Sequence, residues 1–269
     1  MSSPLHSELS ASSAARWMAC SASVRLTRGL PSVDNRYTSE GTAAHELAAR
    51  CLQQGCDAAH FVGEMINEIR VTSSMAADVQ LYLDHCRRLI DLADFHLVEH
   101  QVSLEALKPP VPMFGTVDFA AYLGKYRELH IVDYKHGKGV WVGAKGNTQA
   151  RYYGLGASLA IETPVSKVVA TIIQPRFANA EPIRSVVIDA IELAEWSFEL
   201  IERAKATREP DAPTVPGDHC RFCPIKNSCA AHQMRRATDA FHEFTLADVA
   251  ATGTSASASF VAGKHEGRH

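Results

Sequence analysis

The spacing of apolar residues changes along this chain. From Ser39 to Leu52, residues Ala44, Leu47, Ala48, Cys51 and Leu52 recur at three- and four-residue intervals, which predicts an amphipathic helix. Val79, Tyr82, Leu83, Cys86, Leu89, Ile90 and Ala93 predict a second helix from about Met75 to Asp94. His96 to Leu104 reads as a strand that stops before Lys108-Pro109-Pro110. Gly115-Thr116-Val117-Asp118 and His130-Ile131-Val132-Asp133-Tyr134-Lys135 read as two further strands around the turn Gly124-Lys125-Tyr126-Arg127, hence a hairpin. Asn147-Thr148 can cap a helix that runs to about Ile161. Val165 to Gln174 and Ile183 to Ile188 are β-rich, and Ala190 to Arg208 is a long amphipathic helix. At the start, Ser10 to Cys20 reads as a short helix with a serine cap, followed by a polar, turn-rich stretch through Pro31 and Asn35. Beyond about Ala251 the chain is low in complexity and reads as a loose appendage. Helices, three strands, a helix, two strands and a helix predict an α/β domain with a mixed central sheet flanked by helices.

The hairpin also carries chemistry. With its turn centred between Lys125 and Tyr126, position i pairs with 251 minus i, so Asp118 faces Asp133. Opposed residues share one face with Cβ atoms roughly 5 Å apart. Lys135 lies two residues beyond Asp133 and points to that same face. Two carboxylates this close repel unless a cation lies between them, and a hard divalent ion suits paired acidic oxygens. The pattern reads as a metal-assisted hydrolytic site; the bland alternative is an ordinary Asp–Lys surface network.

Composition narrows the class. The chain has 269 residues, 46% apolar and 21% charged, enough to build the core of a globular protein. A net charge of −3 argues against general nucleic-acid stickiness but leaves room for a local basic groove, and Arg16, Arg25, Arg28 and Arg36 concentrate positive charge near the start. No run of eighteen apolar residues predicts a membrane span. Met1-Ser2-Ser3-Pro4-Leu5-His6 does not read as a secretory signal, so a cytoplasmic location is expected. His45-Glu46 suggests a zinc-protease helix, but the second histidine that motif needs is replaced by Ala49. Lys135-His136-Gly137-Lys138-Gly139 through Gly146 is basic and glycine-rich without being a Walker A loop. Cys51, Cys56 and Cys86 fall within helical patterns and read as buried apolar residues. Cys220, Cys223 and Cys229, spaced Cys-x2-Cys-x5-Cys, form a metal-cluster signal. Cys20 is the best fourth thiolate, with His219 or His232 as alternatives for zinc; four thiolates suit zinc or an iron–sulfur cluster.

Taken together, these residues resemble the RecB-like branch of the PD-(D/E)XK nuclease superfamily. More closely, they resemble its iron–sulfur members, the AddB nuclease domain, the CRISPR-associated adaptation exonucleases and small phage and prophage relatives, over residues 7–235. Gly41-Thr42-Ala43-Ala44-His45 is similar to the family's histidine motif, Gly115-Thr116-Val117-Asp118 to its Gly-x-x-Asp motif, Val132-Asp133-Tyr134-Lys135 to its (D/E)XK strand, and Gln149-x3-Tyr153 to its Gln-x3-Tyr helix. The resemblance implies a restriction-endonuclease-like core at 39–210, preceded by a segment, 1–38, that carries the first cluster cysteine. A three-cysteine segment, 211–240, and a flexible tail, 241–269, follow. It implies that Asp118, Asp133 and Lys135 are catalytic. His45, Asp118, Asp133 and the Tyr134 carbonyl would hold magnesium or manganese, and Gln149 and Tyr153 would position the nucleic-acid backbone. Cys20, Cys220, Cys223 and Cys229 would bind a 4Fe–4S cluster, with zinc as the alternative, joining the two ends of the domain. Glu99 is a further ligand candidate, and Lys138, Lys145 and Arg151 are candidates for the strand path. The implied activity is a metal-dependent DNA exonuclease acting on single strands or free ends, with a recombination or phage protein as partner and no membrane. A catalytically silent nucleic-acid-binding module and a zinc-stapled adaptor are the alternatives.

Overall fold

The structure is a computed structural model. It describes residues 7–30 and 36–252, with side chains described for 7–30 and 38–241; the turn-rich stretch at 31–35, the Arg36 side chain and the low-complexity run at 253–269 lie outside the described residues. Helices α1 (Ala14–Ala19), α2 (Ala22–Thr27) and α3 (Arg36–Gln54) lead to a small hairpin, β1 (Met65–Ile66) and β2 (Ile69–Arg70). Then follow α4 (Ser73–Ile90), β3 (Phe95–Ser103), β4 (Phe114–Leu123), β5 (Glu128–Tyr134), α5 (Thr148–Ala160), β6 (Lys167–Ile173), β7 (Ile183–Asp189), α6 (Ala190–Ala206) and α7 (Ala230–Thr252).

Strands β3 to β7 form one five-stranded sheet in sequence order, antiparallel throughout except for the parallel pair β5–β6. Parallel neighbours need a crossover, and α5 supplies it. Because helices cover both faces, the central strands are apolar on both, and β4 is buried without interruption from Val117 to Leu123. On one face Leu47 and Cys51 of α3 and Val79, Leu83 and Cys86 of α4 pack over Phe119 and Val132. On the other, Tyr152 of α5, Leu193, Trp196 and Leu200 of α6, and Trp17 of α1 pack over Ala120, Ile131 and Ala170. Fully burying one such large side chain stabilises by about 1.5–3 kcal/mol. Gly154 and Gly156 let helix α5 pack directly on the sheet: a Cβ at either would sit 2.9 Å from Val168 Cγ1 or Val102 Cγ2.

The helix starts follow capping chemistry. Thr72 Oγ1 accepts from Met75 N–H, Asn147 Oδ1 from Ala150 N–H, and Asp189 Oδ1 from Ile191 N–H, at the starts of α4, α5 and α6. The first helix differs from expectation. Ser10 makes no side-chain cap there; its hydroxyl bonds Ser13 Oγ at 2.9 Å and its carbonyl accepts Trp17 Nε1–H at 3.2 Å, because a 3-10 turn, Ala11–Ser13, precedes α1. Beyond residue 241, expected as a flexible tail, α7 carries the chain on to Thr252. No helix among the described residues is long and apolar enough to cross a membrane.

Candidate functional site

The β4–β5 ladder has the register expected for the hairpin, from Leu123↔Glu128 to Phe119↔Val132, and it stops there, one position short of Asp118 and Asp133. The strands part at that point, and the donor freed on β5, Tyr134 N–H, is taken by Asp118 Oδ2 at 2.8 Å. The break leaves both carboxylates at the sheet's end facing α5, buried at 9% and 2% exposure. Lys135 Nζ donates to Asp133 Oδ1 at 2.9 Å and lies 2.7 Å from Oδ2. The ammonium thus lies against both oxygens of the buried Asp133 carboxylate.

From Lys135 a chain of polar contacts runs into α5. Its Nζ donates to Gln149 Oε1 at 3.0 Å, and Gln149 Nε2 donates to Tyr153 Oη at 3.1 Å. Gln149 and Tyr153 face each other because they are one helical turn apart. In this arrangement Gln149 orients the lysine directly, a role its helical spacing alone does not reveal. The tyrosine ring is held by Gly115 of β4: a Cβ there would meet Tyr153 Cε1 at 2.9 Å and Ala11 Cβ at 3.4 Å. We therefore expect Gly115→Ala to lower stability by about 1–3 kcal/mol. By displacing Tyr153 it should also slow any reaction at this site by about tenfold or more. Thermal unfolding and turnover measured on one preparation check this, and wild-type turnover would remove Tyr153 from the site.

On the other flank α3 brings His45 over the sheet's end. His45 Nδ1 lies 3.5 Å from Asp118 Oδ2 and 3.9 Å from Glu99 Oε1. One ligand atom each of His45, Glu99 and Asp118 fall within 4.8 Å of one another. Glu99 interrupts the β3–β4 ladder between Val98↔Phe119 and His100↔Val117, with a left-handed backbone at φ 46°. A non-glycine residue there is costly, and such strain gathers at functional sites. Tyr134, expected to contribute through its carbonyl, turns its ring to the opposite face, edge-on to His45 at 5.6 Å, and its hydroxyl meets His136 Nδ1 at 2.9 Å.

The electrostatics follow from this crowding. Burial pushes the His45 imidazolium down, but the charge and hydrogen bond of Asp118 prevail and hold its pKa up at about 9. Burial raises Glu99, and the Asp118 charge adds to it, so its carboxyl titrates at about 7. Burial would raise Asp118 too, but His45 and then Lys135 hold it below the ordinary carboxylate value. Burial pushes Asp133 up, with the Asp118 charge adding to it against the opposing pull of Lys135, whose own pKa is held high by Asp133 and Asp118 against burial. The proton on His45 and the ammonium of Lys135 thus balance the carboxylates. The carboxylates of Glu99, Asp118 and Asp133 are hard oxygen donors, and with the His45 imidazole they fit magnesium or manganese.

Arg151, a candidate for the strand path, is turned away to Glu192 at 2.6 Å and lies over Trp196. Lys138 and Lys145 stand exposed on the loop after β5 and form no ion pair with a described residue. Sequence reasoning passed over Gln174, which is 1% exposed and ties that loop down, and Arg176, which lies 3.4 Å from Glu40 and 3.8 Å from Asp78. The signal was a polar residue ending a β-rich run just before Pro175.

A second cluster lies at the far end of α1. Cys20, Cys220, Cys223 and Cys229 line one cavity, although Cys20 and Cys220 lie 200 positions apart (220 minus 20). All four are free thiols. Cys20 Sγ accepts Val215 N–H and Cys220 Sγ accepts Gly217 N–H, each at 3.4 Å. Arg16 Nη1 and His232 Nδ1 line the same cavity, buried and without a hydrogen-bond partner. Four thiols, backbone donors aimed at sulfur and two buried cationic or neutral donors fit an anionic metal–thiolate centre. His219 instead bonds Val215 O at 2.8 Å. Of the cysteines read as apolar, Cys51 and Cys86 are buried and Cys56 is partly exposed.

Two solved structures share features of this chain. One is SSO0001, at 14% identity and a TM-score of 0.43, with 83% of this chain and 85% of that chain covered. The other, from Eubacterium rectale and provisionally named an exonuclease, has 9% identity and a TM-score of 0.46, with 81% and 86% covered. Residues 6–258 match the family described as "Protein of unknown function (DUF2800)", and the chain belongs to that family.

Proposed function

We propose that this chain is a metal-dependent DNA nuclease of the PD-(D/E)XK kind, hydrolysing phosphodiester bonds in single-stranded DNA or at DNA ends. One observation carries the reading: His45, Glu99 and Asp118 each bring a ligand atom to within 4.8 Å of one another at the parting of β4 and β5, beside the buried Asp133–Lys135 ion pair. His45, Glu99, Asp118 and Asp133 would hold magnesium or manganese. When bound, such an ion lowers the pKa of its water and screens the phosphate.

The chain's own groups do the rest. Lys135, kept protonated by its carboxylate neighbours, places a fixed positive charge where negative charge builds on the phosphoryl oxygens. Gln149, braced by Tyr153, holds the ammonium in one orientation. Asp133 restrains the same ammonium from the strand side. We further propose that the four cysteines hold a 4Fe–4S cluster, or zinc as the alternative, in a structural role.

The test is cleavage of end-labelled single- and double-stranded DNA by anaerobically purified protein with manganese, magnesium or EDTA. Digestion that needs the divalent ion is the expected result, and the product ladder gives polarity. Salt-sensitive binding by well-folded, metal-loaded protein without turnover would replace the nuclease with a binding module.

A further inference from the structure

The loop that leaves β5 immediately after Lys135 is pinned by one buried amide. Gln174 Nε2 donates to Gly137 O at 2.8 Å and Val140 O at 2.7 Å, while its Oε1 accepts from Val142 N–H at 3.1 Å and Arg184 Nη2 at 2.9 Å. Both donors and both lone pairs are thereby used. Arg184 of β7 adds two bonds to Val142 O, at 3.0 and 2.8 Å. A glycine-rich loop would ordinarily fluctuate; this one is fixed from beneath along its middle.

What the clamp presents is Trp141, 52% exposed, while the other two tryptophans, Trp17 and Trp196, are 0% and 8% exposed. Its ring packs on Gly143, where a Cβ would meet Cη2 at 2.6 Å, and the Arg184 guanidinium carbon lies 5.6 Å from the ring centre. Lys138 and Lys145, both exposed, flank it in sequence. Across the sheet Arg184 pairs with Ile172, and Ile172 with Asp133, so Arg184 and Asp133 lie at one level, two strands apart, roughly 10 Å. A half-exposed indole held against Gly143 and Arg184, on the loop that leaves Lys135 and flanked in sequence by two exposed lysines, has the chemistry of a base-stacking surface.

We propose that Trp141 is the platform on which an unpaired nucleobase stacks, while the adjoining phosphate is presented to Lys135. The ligand class is a single-stranded nucleic acid or the frayed end of a duplex, whose bases expose a π-face; an intact duplex does not. The inference rests on the nuclease reading and deepens it.

The experiment uses full-length protein with Lys135→Ala, so that bound strands survive, in manganese. Tryptophan fluorescence and the anisotropy of a labelled oligothymidylate are followed together, because Trp141 is the exposed tryptophan. Binding should quench the emission. Adding Trp141→Phe should keep affinity within about threefold and abolish the quench, while Trp141→Ala should weaken single-strand binding by about tenfold or more, as expected for one stacked base. Blunt-duplex binding should change less. Unchanged affinity in Trp141→Ala would overturn the platform and leave the nuclease reading standing. Failure of the wild-type protein, with Lys135 and Trp141 both intact and calcium in place of manganese to slow cleavage, to bind the oligonucleotide at all would overturn both.

Discussion

Lys135→Ala is expected to lower metal-dependent DNA cleavage by about a hundredfold to a thousandfold, the usual loss when a preorganised charge partner is removed from a transition state. It is also expected to destabilise the metal-free protein much more than the metal-loaded one. Lys135 Nζ sits 2.7–2.9 Å from both oxygens of Asp133, and Asp133 is 2% exposed. Removing one partner of a buried pair leaves the other charge uncompensated, at a cost of about 3–5 kcal/mol. In a protein of this size that corresponds to roughly 6–20 °C in melting temperature. A divalent ion restores a cation between Asp118 and Asp133, so manganese should recover most of the loss. The manganese-induced rise in melting temperature should therefore be larger in Lys135→Ala than in wild type. Cleavage surviving the substitution would dismiss the catalytic assignment. Equal manganese-induced rises in the two proteins would show that the ion does not take the place of the ammonium.

The readable part of the site was carried by short-range periodicity. The hairpin register follows from one turn and the two-residue period of a strand, so the placement of Asp118, Asp133 and Lys135 could be derived from local sequence. Gln149 and Tyr153 could be placed on one helix face for the same reason. Two features could not. The left-handed backbone of Glu99 is imposed by the packing of β3 against β4, since nothing in His96 to Leu104 marks a break. The contact of His45 with Asp118 depends on how α3 crosses the sheet's end, a tertiary quantity without a local signature. The small β1–β2 hairpin, with strands of two residues each, is too short for any period to register. The loop clamp was hidden differently: Gln174 reads as the polar end of a strand, and only the folded chain shows its amide meeting four partners. Local pattern therefore located the carboxylates and the lysine, whereas the strain and the loop that shape their surroundings came from packing.

Cys20→Ser should strip iron and acid-labile sulfide from anaerobically purified protein and lower its melting temperature by about 10 °C or more. The magnitude follows from chain entropy. A metal centre joining Cys20 to Cys220 and beyond closes a loop of 200 residues (220 minus 20), and such a cross-link contributes on the order of 5 kcal/mol. Some docking should persist without it, because Cys20, Ala22 and Ala212 form an apolar contact and Ala22 N–H reaches Pro213 O at 3.4 Å. The damage should therefore be a loosened N-terminal segment in a chain that still folds. That segment also walls the candidate site: Ala11 lies against Gly115, and Tyr152 Oη donates to Leu9 O at 3.3 Å. Cleavage well below the melting temperature should survive, while the temperature at which activity fails should fall together with the melting temperature. Wild-type protein holding zinc without iron would change the identity of the centre but keep the mechanical argument. A Cys20→Ser variant that retains metal, sulfide and melting temperature would remove Cys20 from the ligand set and leave the two ends of the chain held by packing alone.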